Sequence, residues 1–206
     1  MRRLPMLTLT ATLLFAGLAQ AAWTDDWASV RQGSEQVRSL KTRFRQTKRL
    51  PILKNPIVST GRLYFERPGL LRWEYETPTK SLLVVGKQGP QRASWRDGAW
   101  QPDLGAKLEV LQQVLSELGL WMSGRFQESK TFDATLLKQP QPMVRLVPRS
   151  GALKGYIERV DVVFGSAPGS VSRIELVEGG GASTTLEFFE SALNVPLDPK
   201  LFGTGG

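Results

Sequence analysis

Two adjacent stretches constrain this chain most. Between Gly61 and Pro78, Leu63 and Phe65 alternate with Arg62, Tyr64 and Glu66, and after Arg67-Pro68-Gly69, Leu71, Trp73 and Tyr75 alternate with Arg72, Glu74 and Glu76. Side chains in a strand point to opposite faces in turn, so this is a β-hairpin with one aromatic-rich apolar face and one charged face. The charged face can meet water. The apolar face has to be covered, either by the protein's own core or by an apolar guest.

The rest of the chain repeats the strand signal and breaks it twice. Strands are expected at 43–47, 81–86, 132–137, 143–147, 157–164, 171–177 and 184–189. Gln91–Gln101 reads as a further hairpin about Asp97-Gly98, a strong two-residue turn signal. Gly179-Gly-Gly lacks a following lysine and opens no helix, so it reads as a turn and not as a phosphate loop. Helix is expected over 24–40, with Asp25 and Asp26 in its first turn, Trp27, Val30, Val37 and Leu40 on one face, and Arg38 and Lys41 at its end. The second break is 104–122. There Leu104, Leu108, Leu111, Leu115, Leu118 and Met122 fall on one helical face, and Glu109, Gln112, Gln113 and Glu117 are left for solvent. No strand is followed by a regular crossover helix, so the sheet should be antiparallel. The expected fold is mainly β (α+β): a highly curved, unclosed antiparallel half-barrel whose helices form a lid over an apolar cavity.

The first 21 residues read as an export signal. Arg2 and Arg3 precede twelve apolar-leaning residues, Leu7 to Leu18, and Ala19-Gln20-Ala21 is an A-x-A cleavage pattern. That run is shorter than the ~20 residues a spanning helix needs. The expected domains are therefore a signal at 1–21 and one folded unit at 22–206, destined for the periplasm. The net charge of +8 falls to +6 once Arg2 and Arg3 leave. Arg38, Lys41, Arg43, Arg45, Lys48 and Arg49 make a dense basic cluster, suited to docking an acidic partner or an anionic membrane face. Export argues against nucleic acid, and none is expected as a partner.

The sequence has no histidine and no cysteine. That removes histidine-based triads, the usual zinc sites and thiol chemistry. No metal and no cofactor is expected. Glu74 and Glu76 share a strand face and are the remaining acid pair for a hydrolase, but Arg62 and Arg72 beside them supply ordinary cross-strand partners.

Several of these residues resemble the LolA-type periplasmic lipoprotein carriers. The resemblance covers nearly all of 24–202. It rests on Phe44-x-Gln46, on Gly61-x-Leu63, on Arg67-Pro68, on Arg72-Trp73-x-Tyr75 followed by Pro78, on Val84-Val85 before Gly86, and on a late pattern from Ile174 through Thr185, Phe188 and Asn194 to Phe202. The resemblance implies a non-enzymatic carrier, monomeric, that shields acyl chains while passing them from an inner-membrane transporter to an outer-membrane acceptor, with transient membrane contact. It implies acyl contacts at Leu63, Phe65, Trp73, Tyr75, Leu83 and Val85 from the sheet, and at Leu108, Leu111, Leu115 and Leu118 from the lid. It places Arg67 where an arginine helps hold the lid closed. The leucine-rich 104–122 segment and the 86–97 region depart from the family pattern. Those departures suit a relative that exports another lipid or acylated product. A periplasmic interaction module acting through its basic face, with a filled core, is the alternative outside transport.

Overall fold

A computed structural model describes residues 23–87, 89–103, 117–138, 140–149 and 151–203. The first helix, α1 (Trp27–Glu35), starts where Asp26 accepts a hydrogen bond from the Ser29 N–H at 2.7 Å. It is shorter than the expected 24–40. Val37 N–H closes a turn on Ser34 O at 3.1 Å, and the chain enters β1 (Ser39–Arg49). Leu40 and Lys41 are claimed by the sheet because β1 is hydrogen-bonded on both sides, to β2 (Ile57–Glu66) and to β11 (Ser183–Leu193). A central strand gains two ladders, which outweighs a modest helical preference at its start.

The remaining strands are β3 (Leu70–Thr77), β4 (Ser81–Gly86), β5 (Gly89–Arg96), β6 (Ala99–Pro102), β7 (Phe132–Leu137), β8 (Met143–Pro148), β9 (Ile157–Phe164) and β10 (Val171–Glu178). They form one 11-stranded antiparallel sheet in the order β6-β5-β4-β3-β2-β1-β11-β10-β9-β8-β7. Two meanders, β1 to β6 and β7 to β11, are joined where β1 meets β11 with Phe44 opposite Phe188. β6 and β7 lie at opposite margins of the sheet, which is not closed. The β5–β6 hairpin turns on Asp97 (φ 52°) and Gly98 (φ 80°), the left-handed pair that a two-residue hairpin turn requires.

The chain crosses the sheet between β6 and β7. Of the expected helix 104–122, residues 117–122 are helical (α2); Leu104, Leu108, Leu111 and Leu115 lie outside the described residues. Glu117, expected in solvent, is buried, one turn before Trp121 on the same helical face. A 3-10 turn follows at Phe126–Glu128, a four-residue helix α3 (Gly151–Lys154) precedes β9, and two more 3-10 turns occupy Gly179–Gly181 and Pro199–Phe202.

Register fixes which residues share the concave face. Over β7 to β10 that face is a filled core: Phe132, Val144, Leu146, Val160, Val162 and Phe164 close around Val30 of α1 and Phe126. Each such side chain contributes roughly 1.5–3 kcal/mol on burial. Over β2 and β3 the buried set is smaller, with Leu63, Phe65 and Leu71 against Leu40, Trp73, Val85, Phe188 and Met122 of α2. The convex face of the β2–β3 hairpin is not wholly in water. Arg72 is 4% exposed because the Pro199–Phe202 turn lies over it, and its Nη1 donates to Leu201 O and Gly203 O at 3.1 and 3.2 Å. The Leu82-Leu83-Val84-Val85 run is a buried strand, as its lack of alternation implies, with Leu82 and Val84 packed against Ala93 on the convex side.

Candidate functional site

The motif residues converge on one aromatic layer. Phe44 is fully buried; its ring centroid lies 5.4 Å from that of Trp73 and 5.1 Å, edge-on, from that of Tyr75. Gly61 faces it across the β1–β2 ladder. A Cβ on Gly61 would fall 2.6 Å from Phe44 Cζ and collide with Glu74 O, so only glycine lets the ring lie flat there. The Tyr75 hydroxyl donates to Gln46 Oε1 at 2.7 Å. Burial raises the pKa of this phenol.

Above this layer, between the concave face and its cover, lies an apolar cavity of about 90 Å³. Its floor comes from Leu40 and Thr42 of β1, Leu63 of β2, Leu71 and Trp73 of β3, and Phe188 and Leu193 of β11. Its cover comes from Val37 after α1, Leu118, Trp121 and Met122 of α2, and the Gly169–Val171 turn. Gly169 (φ 76°) lets that turn reach α1: a Cβ there would collide with Val37 and lie 2.6 Å from Gly33 O. Leu118 and Met122 also line a neighbouring cleft with Phe65, Val85 and Arg67, so these two side chains separate the spaces.

The Thr42 hydroxyl of the floor is satisfied internally. Thr42 Oγ1 lies 2.7 Å from Ser191 Oγ and donates to Phe189 O at 3.1 Å. The indole N–H groups of Trp73 and Trp121 are buried and have no hydrogen-bond acceptor among the described residues. Among the described residues these walls carry the hydroxyls of Thr42, Ser170 and Ser191 and no charged side chain. Glu74 and Glu76 sit on the opposite face, ion-paired with Arg72 at 2.9 Å and Arg62 at 3.0 Å. Among the described residues no group of carboxylates is placed to hold a metal ion.

The structure distributes the expected contact residues unevenly. Leu63, Trp73 and Leu118 line the cavity, and Phe65 and Val85 line the adjoining cleft. Leu83 is paired with Trp73 across the β3–β4 ladder. Tyr75 is turned into the Phe44 layer, away from the cavity walls. Leu108, Leu111 and Leu115 lie outside the described residues. The alternation of the hairpin alone did not point to Leu40, Thr42, Phe188, Ile174 or Leu193; they enter through the β1–β11 and β10–β11 pairings. Arg67 Nε donates to Val37 O at 2.7 Å and Nη2 to Ser34 O at 3.0 Å. It ties the β2–β3 turn to the closing carbonyls of α1, a position that also suits the negative end of a helix dipole.

The basic cluster separates into two sets. Lys41, Arg43, Arg45 and Arg49 alternate along the convex side of β1 and are exposed. Lys48 has the opposite parity and lies 3.6 Å from Glu178. Arg43 lies over the Phe189 ring at 5.7 Å and 3.7 Å from Glu190. Arg38 is exposed just before the strand, with its N–H held by Asn194 Oδ1 at 2.7 Å.

The chain thus combines an unclosed antiparallel sheet with an apolar cavity on its concave face. Residues 35–204 match the family model described as outer membrane lipoprotein carrier protein LolA. The chain belongs to that family. It is 27% identical over 207 residues to an outer-membrane lipoprotein carrier protein of Pseudomonas aeruginosa PAO1, covering 98% of this chain and 94% of the relative. With the protein of the same description from Methylococcus capsulatus (Bath) it is 24% identical over 196 residues, covering 92% and 88%. Solved structures resemble it more loosely. A DUF1329 family protein from Desulfovibrio piger aligns with TM-score 0.45 at 11% identity over 86% of this chain and 95% of that one. A LolA superfamily protein from Nitrosomonas europaea aligns with TM-score 0.39 at 11% identity over 85% and 96%.

Proposed function

We propose that this protein is a non-enzymatic periplasmic carrier that takes up the acyl chains of a lipoprotein or lipid at the inner membrane and delivers them to the outer membrane. Residues 1–21 act as its export signal and residues 22–206 as the carrier domain. The observation that carries this reading is the apolar cavity, whose Thr42 hydroxyl is already paired and whose lining, among the described residues, holds no charged side chain. The late pattern and membership of the LolA family agree with it.

At about 90 Å³ the space is well below the ~300–1,000 Å³ of ordinary ligand sites. On this reading cargo enters as the cover moves, and Leu118 and Met122 are the side chains whose displacement joins the cavity to the adjoining cleft. The Arg67 tether on α1 opposes that movement. Each methylene buried contributes roughly 0.8 kcal/mol, so about a dozen give roughly 10 kcal/mol before the cost of opening is subtracted. The difference is a moderate affinity, which a carrier needs if it is to release its cargo. Leu108, Leu111 and Leu115 are further acyl-contact residues on this reading, and the exposed basic row of β1 docks the membrane transporter.

The test is uptake of a fluorescent fatty-acyl probe, with native mass spectrometry of protein isolated without detergent. Leu118→Glu is expected to abolish uptake while the sheet stays folded by circular dichroism. Full uptake by the folded variant, or none by the wild type, sinks the reading.

A further inference from the structure

Of eight large hydrophobic residues exposed among the described residues, five gather at one end of the sheet: Ile52, Leu53, Ile57, Val58 and Tyr156. Ile52 is 89% exposed and Tyr156 75%. The first four belong to the β1–β2 connection and the start of β2. Tyr156 is a hundred residues further on, and the Gly179–Gly181 turn brings it alongside. Gly179 N–H donates to Tyr156 O at 3.0 Å, and a Cβ on Gly181 would lie 3.5 Å from Pro51 Cγ.

Single exposed hydrophobic residues are ordinary on a soluble surface, but such a cluster is not. Turns between strands are normally polar, and this one presents Ile52 and Leu53 at its tip. The charges around it are mostly positive. Arg49, Lys54 and Lys154 are exposed; Lys48 is matched by Glu178 at 3.6 Å, and Glu158 is the exposed acid nearby in sequence. Aliphatic tips, a tyrosine and flanking cations are the combination that suits the boundary between headgroups and acyl chains.

We infer that this end of the half-barrel is a membrane-docking tip, in which Ile52, Leu53 and Tyr156 enter the interface of an anionic bilayer while Arg49, Lys54 and Lys154 meet its headgroups. The inference does not rest on the carrier reading. The tip is distinct from the cavity, which lies around Leu40 and Thr42 near the other end of β1, about 24 Å from Arg49 at strand rise. The protein therefore touches a bilayer without using the cover of its cavity as the contact.

The experiment is co-flotation of the full chain with vesicles of phosphatidylcholine containing one quarter phosphatidylglycerol, against vesicles of phosphatidylcholine alone. The wild type is expected to float with the anionic vesicles. Ile52→Glu with Leu53→Glu is expected to lower partitioning at least about tenfold, and Arg49→Gln with Lys54→Gln about twenty-five-fold, at about fivefold per cation. All these positions are exposed, and circular dichroism checks folding. Ile52→Trp supplies a second readout, an indole emission shift to the blue on anionic vesicles.

The inference is overturned if the wild type stays in solution, if the double glutamate variant floats equally well, or if the Ile52→Trp emission does not move. It is also overturned if polyglutamate binds the wild type and the glutamate variant alike and abolishes flotation, which would make the end an acidic-protein dock. Fatty-acyl probe uptake by the Ile52→Glu, Leu53→Glu variant is expected to be unchanged. Loss of vesicle binding with intact uptake separates this surface from the carrier site.

Discussion

Replacing Phe44 by alanine tests the aromatic layer and the cavity above it together. Phe44 has no exposed surface and holds the rings of Trp73 and Tyr75 at 5.4 and 5.1 Å. Buried phenylalanine-to-alanine changes cost about 3–5 kcal/mol, of which ~24 cal/mol per Å³ reflects void that the surroundings fail to fill. Here collapse is poor. Gly61 under the ring has no side chain to move inward, and Tyr75 is held by its hydrogen bond to Gln46. The loss should therefore be near the upper end, about 4 kcal/mol. The new void lies behind Trp73 and beside Phe188, both of which line the cavity. An acyl chain should reach into it and recover part of that loss. The assay is urea unfolding followed by tryptophan emission, with and without saturating fatty-acyl probe. The variant should unfold at lower urea with an unchanged slope, and the probe should stabilise it more than it stabilises the wild type. A loss below about 1.5 kcal/mol would show that the layer is not a packed core. Equal probe stabilisation of both proteins would show that the layer does not floor the cargo site.

Two further outcomes follow from the polar contacts. Arg72→Met leaves Glu74 and the carbonyls of Leu201 and Gly203 without their buried donor, and should cost about 3 kcal/mol by urea unfolding, with faster proteolysis within 198–203. Asp161 is buried, which disfavours its charged form, yet hydrogen bonds from Arg145 at 2.7 and 2.9 Å and from Arg159 at 3.0 Å outweigh burial and hold its pKa below the usual 3.8. Its contribution is present above that pH and is lost as pH falls through the lower folded value. Asp161→Asn should therefore be less stable than wild type at neutral pH, with the gap narrowing only below about pH 4 in a urea-midpoint series.

The hairpin that opens the structural problem was legible because alternation states parity, and parity survives folding: Leu63, Phe65, Leu71 and Trp73 share the concave side. The Asp97-Gly98 turn was legible because its backbone demand is local. The end of α1 was not, since the claim of β2 and β11 on Leu40 and Lys41 comes from residues far along the chain. The same holds for the site. Parity assigns Phe188 and Leu193 to a face, but only the β1–β11 pairing brings that face beside Leu63. Arg72 shows the converse limit. Its parity is correct, yet the C-terminal turn that buries it lies 129 residues away.

The two unpaired margins of the sheet bear on how much it can hold. A closed barrel has its girth set by strand number and stagger. Here girth is not fixed by any ladder, because β6 and β7 never meet. The ten strand-to-strand junctions can each change twist by a few degrees without giving up a hydrogen bond, and the interior widens or narrows by their sum. Such a frame can change its bore through its curvature, with its side-chain chemistry unchanged. On the proposed carrier reading, the open seam is the mechanical means by which one sequence would suit a range of fatty guests.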